Sequence, residues 1–222
     1  GRLRLLRGVD HGKDQSYVLF GTPRDRLGEM ILPIGGLPKS EVRALAERFD
    51  LPVFDKPDSQ EICFVPNDDY AGLVARRSSS GVTTGAVVDR DGNKIGEHPG
   101  HQHFTIGQRR RIGVALGHPI YVVEKDPVAN TITVGDRDAL MARGCLASQV
   151  NWLVDPPTSP RSCTVRIRYN AEPVPASVSM VGEDRLEVRF DAPQSSVAPG
   201  QAVVCYDEDL VLGGGWIDAA VR

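Results

Sequence analysis

At 222 residues, with 41% hydrophobic and 25% charged side chains, the chain is long enough for two small domains or one large one and has an ordinary globular composition. A net charge of −3 excludes a general polycation built for nucleic acid, so any RNA contact has to be a local patch. No apolar run approaches the roughly 20 residues that span a bilayer, and four cysteines without a CxxC pair exclude a zinc ribbon and a disulfide scaffold. The expectation is a reduced, cytoplasmic protein with free thiols and no membrane partner.

Residues 2–6, RLRLL, alternate like a strand and lead into a glycine-bearing loop. Asp14 stands where it would cap a helix beginning in DQSYVLF, 14–20. PKSEVRALAERFD, 38–50, is the clearest helix. Pro38 suits a first turn, Val42, Leu45, Ala46 and Phe49 follow a 3.6-residue period, and Pro52 closes it. From Ser78 the pattern changes to short strands. VTTGAVVDRDGNKIGEH reads as a hairpin turning at Asp91-Gly92, and IYVVEKDPVANTITVG as a second. After Leu146, strands are predicted at 150–154, 163–169, 174–181, 185–190, 202–206 and 210–217, separated by turn signals. That spacing predicts a small antiparallel barrel or sandwich.

The fold class expected is α+β in three pieces. Residues 1–75 are the remnant of an α/β catalytic domain, 76–145 a small β-rich central module, and 146–222 an antiparallel β-barrel. The opening GRLRLLRGVDHGKDQ starts in strand-like alternation with no methionine, which reads as the middle of a longer protein.

Four stretches invite chemistry. In DSQEICFVPNDD, 58–69, Cys63 sits between Ile62 and Phe64. A free cysteine most often packs as a small apolar group, and Asp58, Glu61, Asp68 and Asp69 disfavour a nearby thiolate. The residues alone therefore favour a buried Cys63 over a reactive one. EHPGHQHF clusters His98, His101 and His103, but no second ligand pair stands at matching spacing, so a polar hairpin end is expected rather than a metal site. TIGQRRRIG joins a glycine turn to Arg109-Arg110-Arg111. Arginine forks suit phosphates, while a solvated basic loop would look the same, and both readings stand. Gly213 to Gly215, in LVLGGGWI, lack the following helix of a phosphate loop, so a bulge or a tight backbone approach is expected there.

Together, LLRGVDHGKDQSYVL, LPIGGLPKSEVRALAERFDLPV, KPDSQEICFV, HFTIGQRRRIG, YVVEKDPVANTITVG, VRIRYNAEPVPA and PGQAVVCYDEDLVLGGGWI resemble one family, the tRNA-specific 2-thiouridylases. The segments run in order through nearly the whole chain, and KDQSY with DSQEICF and TIGQRR at these distances is highly specific. The resemblance implies a tRNA uridine 2-sulfurtransferase. ATP activates the C2 oxygen of the wobble uridine, a cysteine persulfide delivers sulfur to C2, and AMP leaves. Sulfur arrives on a covalent protein carrier, and Cys63 matches the family's persulfide-bearing cysteine, which reverses the bland reading of that residue.

The same resemblance assigns tRNA contacts to Lys13, Asp14 and Gln15 in KDQ, to Arg168 and Tyr169 in RIRY, and to Gln201 in PGQ. An arginine and an amide fix phosphate or sugar, and an aromatic ring stacks on a base. The implied partners are tRNA and a sulfur-donor protein, either a persulfide carrier or a cysteine desulfurase. The family's phosphate-binding SGGVDS loop and its first catalytic cysteine lie upstream of residue 1. ATP is therefore expected to bind outside this chain, which alone should not complete a turnover. Two rivals remain at this stage. One is a non-catalytic RNA-binding β-barrel module, and the other a cysteine hydrolase pairing Cys63 with His98 or His103.

Overall fold

The computed structural model describes residues 2–56, 72, 73, 76 and 83–222. Packing divides the chain into two compact units. One joins Gly1–Lys56 to Ala142–Pro193 and Ala198–Arg222, and the other holds Pro57–Met141 with Gln194–Val197.

In the second unit, β1 (Gly85–Val88) and β2 (Lys94–His98) form the first expected hairpin, and β3 (Tyr121–Asp126) and β4 (Thr131–Gly135) the second. Both turns are built by an aspartate. Asp89 Oδ1 accepts the Asp91 and Asn93 N–H groups, and Asp126 Oδ1 accepts those of Val128 and Ala129. Such side-chain turns are why Asp opens loops. The two hairpins meet through a parallel β1–β4 pairing, giving the order β2-β1-β4-β3. One face buries Val87, Phe104, Ile112, Ile120, Val122 and Ile132.

The remaining strands, β5 (Met141–Trp152), β6 (Arg161–Arg166), β7 (Val174–Met180), β8 (Arg185–Ser195), β9 (Ala202–Asp207) and β10 (Leu210–Val221), close a barrel in the order β10-β5-β8-β7-β6-β9. The α+β class and the barrel after residue 146 are as expected. β9, AVVCY, shows no polar alternation because both of its faces are covered. Ala202, Val204 and Tyr206 pack with Leu5, Tyr17, Phe20 and Leu27 from the N-terminal segment. Val203 and Cys205 alternate with them toward the barrel interior and are fully buried. In that segment α1 spans Ser16–Leu19 and α2 spans Lys39–Arg48.

Three local expectations change. Residues 2–6 make a single bridge, Leu6 to Leu210, rather than a strand. Strand β6 stops at Arg166 instead of running to 169, because the Arg166 side chain folds into the turn that follows. β5 begins at Met141, nine residues before the predicted start, and runs through Gly144. A Cβ on Gly144 would lie 2.1 Å from the Val188 carbonyl oxygen, so the glycine is what lets β5 and β8 approach.

The glycine triplet is the expected bulge. The register shifts between Val211 and Gly213, and Gly213 takes a φ of +146°. At Gly214 an added Cβ would sit 2.4 Å from the Val203 oxygen and 3.0 Å from the Phe20 ring. Backbone on the neighbouring strand cannot swing aside, so Gly214→Ala is expected to destabilise the protein by about 1–3 kcal/mol. Gly21→Ala, where nothing lies within 4 Å of the new Cβ, is the control. Urea unfolding of both variants checks this, and equal midpoints would count against it.

Candidate functional site

Five of the six residues singled out for RNA contact carry exposed or half-exposed side chains, and the sixth, Asp14, lies beneath them. Lys13 closes a short 3₁₀ turn, His11–Lys13, whose N–H donates to the Asp10 carbonyl at 2.9 Å. Asp14 then turns inward, with its side chain 1% exposed. Its Oδ1 accepts the Gly8 N–H at 3.1 Å and the Ser16 N–H at 3.0 Å. Its Oδ2 accepts the Ser16 hydroxyl at 2.8 Å, Arg7 Nε at 3.2 Å and Arg166 Nη1 at 3.1 Å. Asp14 thus satisfies the start of α1 from one residue before its N-cap, Gln15.

Burial by itself would raise the Asp14 pKa. The hydrogen bonds from Ser16, Gly8 and Arg7 outweigh it and hold the carboxyl below its usual 3.8. A buried carboxylate needs this full set of partners, since an unpaired charge in the interior is costly.

Arg166 carries the same cluster into the barrel. Besides Asp14, its Nη2 donates to the Tyr169 carbonyl at 2.7 Å and its Nε to the Ala171 carbonyl at 3.0 Å. The Ala171 N–H donates to the Arg168 carbonyl at 3.2 Å, closing the turn. One guanidinium therefore shapes the turn that presents Arg168 and Tyr169 and ties it to the residue between Lys13 and Gln15. At the surface Gln15 Nε2 donates to the Tyr169 hydroxyl, joining positions 154 residues apart.

Tyr17 backs this pair. Its ring meets that of Tyr169 edge-on at 6.2 Å, and its hydroxyl donates to the Ala202 carbonyl at 2.9 Å, next to Gln201. Burial pushes the Tyr17 pKa up to about 12, so the hydroxyl stays a donor. Gln201 itself is exposed in a turn where Gly200, at φ +81°, and Gln201 bond the backbone of Ile217.

Arg166, Arg7, Tyr17 and Tyr206 are the residues that sequence reasoning missed. Arg166 lies in a quoted segment, but an arginine at a strand end is ordinarily exposed, and nothing local marks it as buried. Tyr206 completes the cluster, with its hydroxyl 3.3 Å from Ser16 Oγ and Arg7 stacked over its ring at 5.7 Å.

The other expectations fall elsewhere. Cys63 lies outside the described residues. The described cysteines are free and belong to the barrel. Burial pushes the Cys145 thiol up to about 12, and its hydrogen bond with Cys163, reinforced by burial, raises Cys205 well above the usual range. His98 is buried, and burial lowers its pKa. Its Nδ1 accepts the Gly100 N–H at 3.0 Å. Its Nε2 meets no hydrogen-bond partner, although the nearby Asn130 carbonyl favours the charged form. His101 Nδ1 is 3.1 Å from Asn130 Oδ1. Among the described residues no three His, Cys, Asp or Glu side chains are grouped as metal ligands. Gly213–Gly215 do not fit a nucleotide either, since the space beside each is filled by the backbone of neighbouring strands.

Three family models match the chain in succession. A tRNA methyl transferase HUP domain covers residues 1–67, a tRNA methyl transferase PRC-barrel domain 77–136, and an aminomethyltransferase beta-barrel domain 142–217. The curated relatives include the tRNA-specific 2-thiouridylase MnmA of Geobacter metallireducens, 46% identical over 100% of this chain and 60% of its own length. Those of Geotalea uraniireducens and Clostridioides difficile are 44% and 40% identical, each over 100% of this chain and over 59% and 62% of their own lengths. The chain spans about three fifths of the relatives it matches. With three domain models in unbroken order and this identity along its whole length, the chain is similar throughout to the part of the tRNA-specific 2-thiouridylases that it spans.

Proposed function

We propose that this chain is the sulfur-carrying and tRNA-docking portion of a tRNA uridine 2-sulfurtransferase acting in the cytoplasm. The observation that carries the docking half is the joining of KDQ to RIRY. Gln15 bonds Tyr169 at the surface, and Asp14 bonds Arg166 directly beneath. Two stretches far apart in sequence thereby form one face that offers a lysine, an arginine, an amide and a tyrosine ring 37% exposed. Those groups suit phosphate, sugar and an unstacked base. Asp14 acts in this face as a positioning residue.

The sulfur half rests on Cys63. Its thiolate takes a sulfur atom from the persulfide of a donor protein, which leaves as a thiolate. The terminal sulfur of the Cys63 persulfide then attacks C2 of the activated uridine, and the C2–O bond breaks with AMP as the leaving group. A second thiol attacks the Cys63 sulfur, forming a disulfide and releasing the thiocarbonyl. ATP-dependent activation of the uridine is assigned to the part of the relatives that this chain does not span, and no step of it to these residues.

Binding of tRNA tests the docking half. Arg168→Ala is expected to weaken binding and to flatten its salt dependence, by about 0.7–0.9 in the slope of log K against log salt if one phosphate contact is lost. Gln201→Ala is expected to weaken binding with the slope unchanged, because an amide carries no charge. Titrations of the chain with tRNA at several salt concentrations separate the two. If Arg168→Ala leaves affinity and slope untouched, this face is not the docking surface.

A further inference from the structure

Between Glu97 and Glu124 the sequence holds no acidic residue, and within that stretch stand Arg109, Arg110 and Arg111. All three side chains are exposed. None enters an ion pair among the described residues. The nearest acid before the run, Glu97, is held by Lys94 Nζ at 2.8 Å. Such a run on a protein of net charge −3 is a local departure from the rest of the chain, and three adjacent like charges repel one another unless a counter-charge is supplied.

The loop that bears them is fixed. Its flanks, Phe104 and Ile112, are buried in the core of the central sheet. Gly107 N–H donates to the Val122 carbonyl at 2.8 Å, and the Val122 N–H returns a bond to the Gln108 carbonyl at 2.9 Å. The Gln108 side chain staples the interior of the loop. Its Oε1 accepts the Thr105 N–H at 3.1 Å and its Nε2 donates to the Arg110 carbonyl at 2.8 Å. Gly107, Arg111 and Gly113 take left-handed conformations, φ +89°, +60° and +85°. Arg111 accepts a backbone geometry that an arginine rarely adopts. The backbone is thus locked while the guanidinium groups stay in solvent. A merely solvated loop needs no such frame, whereas a preorganised set of forks loses less entropy on binding.

We propose that the Thr105–Gly113 loop is a second RNA contact of this protein, at which Arg109 and Arg110, flanked by Arg111, pair with backbone phosphates. The partner is chosen by chemistry. Planar guanidinium forks match phosphate oxygens bidentately, and a repeating polyanion supplies adjacent counter-charges to adjacent arginines. The proposal rests on the reading of the chain as a tRNA-binding protein and adds a contact outside KDQ, RIRY and PGQ.

The test compares two double variants of the chain, Arg109→Gln/Arg110→Gln and Arg109→Lys/Arg110→Lys, with the unmodified chain. Each is titrated with tRNA over a range of salt. The glutamine pair is expected to reduce the slope of log K against log salt by about 1.5, two contacts at roughly 0.7–0.9 each. The lysine pair keeps the charge and is expected to keep the slope. Both variants are expected to melt with the unmodified chain, since the substituted side chains make no contact that holds the loop. If the glutamine pair keeps the original slope and affinity while Arg168→Ala weakens binding, the loop contact is overturned and the docking reading stands. If the chain binds no tRNA, both fall. Competition by polyglutamate as effective as that by RNA of equal charge would overturn the choice of RNA in favour of an acidic protein.

Discussion

Cys63→Ser is expected to abolish sulfur transfer, lowering thiolation of tRNA by at least about a thousandfold in a protein spanning the relatives' full length. Loss of a covalent nucleophile has effects of that order because the remaining groups cannot replace it. Serine keeps the size and the hydrogen-bonding capacity of cysteine but cannot hold a sulfane sulfur. Two of the three described cysteines offer no substitute. Cys145 and Cys205 are fully buried in the barrel, with thiols shifted away from the reactive thiolate form. Cys163, half-buried in β6 and paired with Ala176 of β7, is held below the usual range by its hydrogen bond from Cys205 and is the internal comparison. Quantifying 2-thiouridine in tRNA gives one readout. Mass spectrometry of the peptide around Cys63, after exposure of the chain to a persulfide donor, gives the other. Near-normal thiolation by a folded Cys63→Ser protein would falsify the assignment. A persulfide found on Cys163 instead would move the carrier into the barrel.

Much of the fold was legible because its signals are local. The two hairpins of the central sheet were marked by aspartate-led turns, and the short strands after residue 146 by regular breaks. What stayed hidden was set by contacts distant in sequence. The parallel β1–β4 pairing has no signature in either strand. β5 was predicted to start at 150, nine residues late, and the place of Gly144 inside the strand is explained only by the approach of β8. The site shows the same division. The exposed residues of KDQ, RIRY and PGQ were singled out through family resemblance rather than from any local pattern. The support beneath them was not, because Arg166 looks like any arginine at the end of a strand until Asp14 is seen to face it across 152 residues.

Asp14 is where that hidden support yields a second large effect. Asp14→Ala strips the acceptor from Arg7, Arg166, Ser16 and Gly8 together, leaving two guanidinium groups without their shared counter-charge. Breaking one partner from a buried ion pair costs about 3–5 kcal/mol, so the variant is expected to lose much of a typical domain's stability. The pH dependence follows from the direction of the shift. The folded carboxyl titrates below 3.8, its value in an unfolded chain. Its contribution is therefore fully present above that pH and is lost as the pH falls through the lower, folded value. Asp14→Asn removes the titration while keeping one acceptor oxygen. Its stability is expected to be lower than that of the unmodified protein near neutrality, with the difference narrowing below pH 3.8. Urea unfolding across that range measures it, and a constant difference would show that Asp14 does not titrate in the folded state as described. The same variant separates support from contact. A supporting Asp14 loses tRNA affinity in step with stability, because Gln15 and the Arg168–Tyr169 turn lose their common anchor. A contacting Asp14 would lose affinity even when a stabilising co-solvent restores the fold, and that outcome would return it to the surface set.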